Sequence, residues 1–154
     1  MEPRKGSDGR PAADEWLLFI DGAARGNPGP SGAAAVLYDP SGARKGEGTF
    51  PLGHLTNNAA EYEALERGLE LARESGARRL EVRSDSELLV RQMQGIYRVR
   101  SGHLKDAASR IRNLVTQFEA VRYTAIPREQ NREADRLANK AVDKAEQTDN
   151  SWRD

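Results

Sequence analysis

The apolar run Trp16-Leu17-Leu18-Phe19-Ile20 ends on the carboxylate Asp21. A run this short, bounded by glycine and proline, predicts a buried strand. Gly32 to Asp39 and Ala43 to Pro51 read as the next two strands, joined by the tight-turn sequence Asp39-Pro40-Ser41-Gly42, so the first three form an antiparallel meander. The pattern then changes to that of a helix from Asn58 to Glu74, with Leu65, Leu69 and Ala72 on one face and Gly76 placed to end it. Arg79 to Arg83 predicts a short strand around Leu80 and Val82. Ser86 to Gln94 and Leu104 to Phe118 predict helices, the second with Ile111, Leu114, Val115 and Phe118 as its apolar positions. Ala120 to Ile126 predicts a last strand, closed by Pro127, and Asn131 to Lys144 a final helix. Strands separated by helices imply parallel crossovers, so the expected fold is α/β: a mixed sheet with helices packed on it.

The ends lack this periodicity. Residues 1–14 are polar and rich in glycine and proline, which predicts a disordered tail; residues 15–144 form the expected single domain. Residues 145–154 are expected to be a flexible tail whose apolar outlier is Trp152. At 154 residues and 37% hydrophobic content the chain can bury one core. No apolar run approaches a membrane span and no signal-peptide core opens the chain, which makes a soluble cytoplasmic protein the expectation. The absence of cysteine excludes disulfides, thiolate metal sites and cysteine nucleophiles. The 24 basic and 24 acidic side chains cancel, so any affinity for nucleic acid must come from local patches. One such patch is Ile96 to Lys105, IYRVRSGHLK, where Arg98, Arg100 and Lys105 occur without an acid.

Functional groups in such sheets gather at the carboxyl ends of parallel strands. Asp21 ends the first strand and Asp85 follows the fourth, so adjacent strands would bring the two acids together. Acids at close range repel unless a cation neutralises them. Glu61, placed in the first turn of the first helix, and Asp135, in the closing helix, offer two further carboxylates. Such oxygen donors suit Mg2+ or Mn2+, and two such ions can hold both the attacking and the leaving oxygen of a phosphoryl transfer. Each acid also has a local reading. Asp21 could cap a turn, Glu61 could complete a capping box with Asn58, Asp85 could cap a helix, and Asp135 could be a solvated helix residue. Spacing alone leaves both readings open.

Four stretches carry a resemblance: DGAARGNPGPSGAA from Asp21, TNNAAEYEAL from Thr56, RSDSELLVRQM from Arg83 and PREQNREADRLANKA from Pro127. In this order and spacing, over most of residues 16–144, they resemble the type 1 ribonuclease H family. The resemblance implies a ribonuclease H-like fold with a mixed five-stranded sheet, in which the first, fourth and fifth strands are parallel. It also implies endonucleolytic cleavage of the RNA strand of an RNA/DNA hybrid, leaving a 5'-phosphate and a 3'-hydroxyl. By position, Asp21, Glu61, Asp85 and Asp135 match the family's metal-binding acids, which hold two Mg2+ or Mn2+ ions when substrate is present. Asn27, Asn58 and Glu61 match positions that contact the RNA strand, and Thr56 and Asn57 match positions on the DNA side.

The chain departs from the family in places. Many members carry a histidine before the last helix; here Arg128 stands in its neighbourhood, permanently charged and suited to steadying a phosphate rather than relaying a proton. Glu129 is a second candidate there. His54 and His103, the chain's two histidines, read first as surface residues. A basic protrusion found in some relatives is short here, retaining Tyr97, Arg98 and Arg100, which predicts modest, salt-sensitive binding. Partners implied are the hybrid and, as a second duplex with 2'-hydroxyls, double-stranded RNA; a monomer is expected. Two alternatives compete with this reading: a module that binds hybrids without cutting, and a DNA nuclease of the same fold.

Overall fold

The computed structural model describes residues 13–150; residues 1–12 and 151–154, with most of the expected amino-terminal tail and Trp152, lie outside the described residues. The chain runs β1 (Glu15–Ala24), β2 (Gly29–Tyr38), β3 (Arg44–Leu55), α1 (Asn57–Glu74), β4 (Arg79–Ser84), α2 (Glu87–Met93), α3 (Gly102–Val115), β5 (Ala120–Ala125), a 3-10 turn (Arg128–Gln130) and α4 (Arg132–Asn150). One sheet has the order β3-β2-β1-β4-β5, antiparallel across β3, β2 and β1 and parallel across β1, β4 and β5. This is the predicted topology.

The meander is closed by the expected turn. Asp39 Oδ1 accepts from Ser41 N (2.9 Å) and Ala43 N (3.1 Å), and Gly42 takes a positive φ of 90°. The aspartate side chain thus completes the turn that glycine makes sterically possible.

Helices cover both faces of the sheet. Successive residues of β2 alternate between them: Ala33, Ala35 and Leu37 join the core beneath α1 and α3, while Ala34 and Val36 meet Leu137 and Ala138 of α4. The larger core lies on the α1 side, where Leu18, Ile20, Leu65, Leu69 and Leu80 are fully or almost fully buried. Each of these contributes about 1.5 to 3 kcal/mol relative to exposure. Small residues set how closely the layers approach. A Cβ on Gly32 would lie 2.6 Å from the Ala138 carbonyl oxygen, so α4 rests directly on the β2 backbone.

Several boundaries differ from the expectation. β1 does not stop at Ile20, because Asp21 to Ala24 continue the antiparallel ladder opposite Ala34 to Ser31. The parallel ladder with β4, by contrast, ends at Phe19 and Arg83. Asp21 therefore lies just past the carboxyl end of the parallel pair but inside the strand. α3 stops at Val115, and Phe118 beyond it is buried in the core through the turn that follows.

Of the flexible tail expected over residues 145–154, residues 145–150 belong to α4, and residues 151–154 lie outside the described residues. α4 continues to Asn150 because the apolar stripe Ala138, Ala141, Val142 and Ala145 keeps helical spacing past Lys144, with Ala145 only 6% exposed. Arg25, in the loop after β1, pairs with Asp143 (2.7 Å) and with Glu146, tying the later turns of the helix to the sheet.

Candidate active site

Asp21, Glu61 and Asp85 come together at the carboxyl end of the parallel strands. One carboxylate oxygen from each lies within 4.8 Å of the others. Asp21 and Glu61 are buried, and Asp85 is partly so.

Each acid is held by its own local structure. β1 and α1 pass so closely at Gly22 that a Cβ there would lie 2.4 Å from the Ala60 carbonyl carbon. That approach lets the Gly22 N–H donate to Glu61 Oε1, seating the glutamate across the strand from Asp21. Glu61 is not in a capping box: Thr56 is the N-cap, its Oγ1 accepting from Ala59 N at 3.1 Å, which places Glu61 in the second turn of α1. Asp85 is not a cap either. Ser86 caps α2 by accepting from Leu89 N at 3.2 Å, and Ser86 N donates to Ser84 Oγ at 3.0 Å, so the turn holds Asp85 between two serines and leaves its carboxylate for the cluster.

Asp135 stands outside the group of three, in the first turn of α4, near enough for its charge to act on Asp21. Asn139 Nδ2 donates to Asp135 O (2.9 Å) and Oδ1 (3.3 Å), steadying it from the next turn. Three of the four predicted acids thus form one group, and Asp135 lies beside it.

Asn131 was expected only as the start of the closing helix. Its Nδ2 donates to the Ile20 carbonyl (2.9 Å) and to Asp85 Oδ2 (3.2 Å) from a side chain that is 1% exposed. Its place before a helix hid it, because asparagine is common there as a cap.

The electrostatics are those of acids crowded without a counter-charge. Burial first, then the charges of Glu61, Asp85 and Asp135, push Asp21 up to about 9. Burial and Asp85 push Glu61 up to about 8, against the Gly22 N–H, the hydrogen bond with Asp21 and the charge of exposed Arg128, all of which pull it down. Burial and crowding favour the protonated forms of Asp21 and Glu61, protons that a hard divalent cation would replace. An all-oxygen donor set of this charge and spacing fits a hard divalent cation. Asp21, Glu61, Asp85 and Asp135 are the side chains that would hold it.

Of the remaining predicted residues, Asn27, Thr56, Asn57 and Asn58 gather at the amino terminus of α1, and Arg128 is exposed in the turn before α4. Asn57 N donates to Asn27 Oδ1 and Ala24 N donates to Asn57 Oδ1, each at 2.9 Å, which locks the loop after β1 to the amino terminus of α1. Asn58 Oδ1 is buried and has no hydrogen-bond partner among the described residues. Asn58 also lines an open groove of about 550 Å³ with Leu88, Ile96, Tyr97, Arg98 and Arg100, so the basic patch of the sequence borders the site. A neighbouring groove of about 500 Å³ is lined by Thr56, Asn58 and both histidines, His54 and His103. Glu129 instead faces a smaller pocket of about 200 Å³ with Phe19 and Tyr38.

Residues 19–141 match the family model described as reverse transcriptase-like. The chain is 41% identical over 127 residues to ribonuclease HI of Halobacterium salinarum, covering 82% of this chain and 64% of that protein. It is 40% identical over 133 residues to the bifunctional protein Rv2228c of Mycobacterium tuberculosis, covering 86% of this chain and 36% of that protein. The match thus spans less than two thirds of the length of these relatives. Among solved structures, the N-terminal RNase H domain of Rv2228c superposes with a TM-score of 0.85 at 38% identity, covering 88% of this chain and 98% of that one. LC11-RNase H1 in complex with an RNA/DNA hybrid superposes with a TM-score of 0.79 at 43% identity, covering 84% and 98%.

Proposed function

We propose, from the premise that the chain belongs to the type 1 ribonuclease H family, that it is a metal-dependent endoribonuclease that cuts the RNA strand of RNA/DNA hybrids. The observation that carries this reading is the convergence of Asp21, Glu61 and Asp85, one carboxylate oxygen from each within 4.8 Å of the others, with the charge of Asp135 acting on Asp21. Supporting it is the likeness to LC11-RNase H1, whose structure was solved with such a hybrid.

Asp21, Glu61, Asp85 and Asp135 would hold two Mg2+ or Mn2+ ions, which would supply Lewis-acid help to an attacking water and charge stabilisation to the leaving 3' oxygen. The chain's own part is positioning. Asp21 and Glu61, held rigidly by β1 and the Gly22 contact, fix the donor oxygens, and Asp85 and Asp135 close the set. Asn58 lines the groove beside the acids, where its side-chain amide is suited to a ribose 2'-hydroxyl, the group that distinguishes RNA from DNA. Asn27 holds the loop beside it, and Thr56 and Asn57 present a helix amino terminus to a DNA-strand phosphate. Arg128 steadies the departing phosphate. The products are a 5'-phosphate and a 3'-hydroxyl, double-stranded RNA is a second substrate, and the enzyme acts as a cytoplasmic monomer.

The test is a gel of hybrid labelled on the RNA strand, incubated with the wild type and with Asp21→Asn, with Mg2+, with Mn2+ and with chelator, beside DNA-only and RNA-only duplexes. The reading expects internal RNA cuts that need metal and vanish in the variant. Retarded but uncut hybrid under every metal condition would make the protein a binding module, and cleavage of the DNA duplex would make it a DNA nuclease.

A further inference from the structure

We infer that Asn131 is a positioning residue that sets the geometry of the carboxylate cluster from beneath. Three observations carry this, and the inference rests on the metal-dependent nuclease reading above.

The first is where its bonds go. One amide nitrogen donates to the carbonyl of Ile20, the residue before Asp21, and to Asp85 Oδ2. The same residue's backbone carbonyl accepts from Asp135 N at 3.0 Å. A single residue therefore ties together the strand that carries Asp21, the carboxylate of Asp85 and the helical turn that carries Asp135.

The second is what Asn131 does not do. It precedes the first residue of α4, where an asparagine ordinarily turns its side-chain oxygen onto a helix N–H. Here Oδ1 has no hydrogen-bond partner among the described residues, and the amide nitrogen is turned into the site instead. The usual capping bond is given up for the contacts to Ile20 and Asp85.

The third is direction. The side chain is 1% exposed, so nothing solvent-borne competes with these bonds. Rotating the amide would place its oxygen against the Ile20 carbonyl and the Asp85 carboxylate, two acceptors, so the orientation is fixed by its neighbours. Hydrogen bonds that orient a metal's carboxylate ligands act on metal affinity, and losing one typically lowers affinity or activity about 10- to 100-fold.

The experiment separates a cap from a positioner with two variants. Serine caps a helix about as well as asparagine but cannot span Ile20 and Asp85; alanine does neither. Mn2+ binding to the full chain is measured by calorimetry without nucleic acid, alongside hybrid cleavage as a function of Mn2+ and melting in chelator. We expect Asn131→Ser and Asn131→Ala both to bind Mn2+ roughly 10- to 100-fold more weakly and to need correspondingly more Mn2+ for half-maximal cleavage. Serine at wild-type affinity with alanine impaired would make Asn131 a cap and overturn the inference, as would wild-type affinity in both.

The unaltered protein gives a second measurement should a variant not fold. The Asn131 side-chain amide resonances should be protected from solvent exchange and should move on Mg2+ titration. Unprotected resonances that ignore Mg2+ overturn the inference. A wild type that binds Mn2+ and cuts hybrid while these readouts fail would leave the nuclease reading standing. A wild type that does neither would remove both.

Discussion

Asp21→Asn should make the metal-free protein more stable while removing its activity. The folded carboxyl is pushed from its ordinary 3.8 up to about 9 by burial and by three neighbouring acids. Between those values the folded state holds a proton that the unfolded chain releases, so stability falls as pH rises through the window. The contribution is complete below the ordinary value and is lost by about pH 9. At pH 7.5 the solution lies about 3.7 units above the ordinary value, and at about 1.4 kcal/mol per unit an unrelaxed site would destabilise the fold by about 5 kcal/mol. Water entry and adjustment of the side chains reduce such costs, and about half, roughly 2 to 3 kcal/mol, is a working magnitude. Asparagine has the shape of the protonated acid and can still donate to Glu61, so it removes this penalty without opening a hole. Urea unfolding in chelator at pH 5, 6.5 and 8 is the assay. The variant should exceed the wild type by less than about 1 kcal/mol at pH 5 and by about 2 to 3 kcal/mol at pH 8, with Mg2+ narrowing the gap by stabilising only the wild type. A variant less stable than the wild type by the same amount at every pH would refute the argument, because it would make Asp21 a structural partner rather than a strained ligand.

Other substitutions probe the remaining supports. Glu61→Gln keeps an oxygen for the Gly22 N–H but loses the charge, so metal-supported cleavage should fall roughly a hundredfold or more while the melting temperature in chelator holds or rises. Gly22→Ala drives a methyl into the α1 backbone and should destabilise by about 3 kcal/mol in urea unfolding, with cleavage lost as Glu61 is displaced. Replacing Arg98 and Arg100 together by alanine should weaken hybrid binding and lower the slope of log affinity against log salt by about 1 to 2, read by fluorescence anisotropy at several salt concentrations. Ala145→Asp should destabilise by about 2 kcal/mol, because the helix around it packs on the domain; a neutral effect would restore the reading of a loose tail.

What could be read in the sequence was what a short window contains. The apolar run before Asp21, the Asp39-to-Gly42 turn and the spacing of Leu65, Leu69 and Ala72 each fix an element by local chemistry, and the order of elements then gives the mixed sheet. The boundaries that moved did so for reasons outside any window. β1 runs on through Gly22 because β2 supplies an antiparallel partner as far as Ser31, and α4 runs past Lys144 because Ala145 has a sheet to rest on and Arg25, more than a hundred residues earlier, has acids to pair with.

The candidate site divides in the same way. Its acids sit on β1, α1, the turn after β4 and α4, and only tertiary structure can turn four residues with separate local explanations into one cluster. Two of those explanations fail on details that a sequence cannot reveal: Thr56 rather than Asn58 caps α1, and Ser86 rather than Asp85 caps α2. Serine and threonine do the capping, which leaves the carboxylates unspent. Asn131 reverses that logic. It occupies the position where capping chemistry is expected, leaves its oxygen without a partner among the described residues and directs its donors at a carbonyl and a carboxylate from two other elements. A residue's local propensity names the bond it could make; a buried acceptor left unpaired shows that the fold has used that residue for something else.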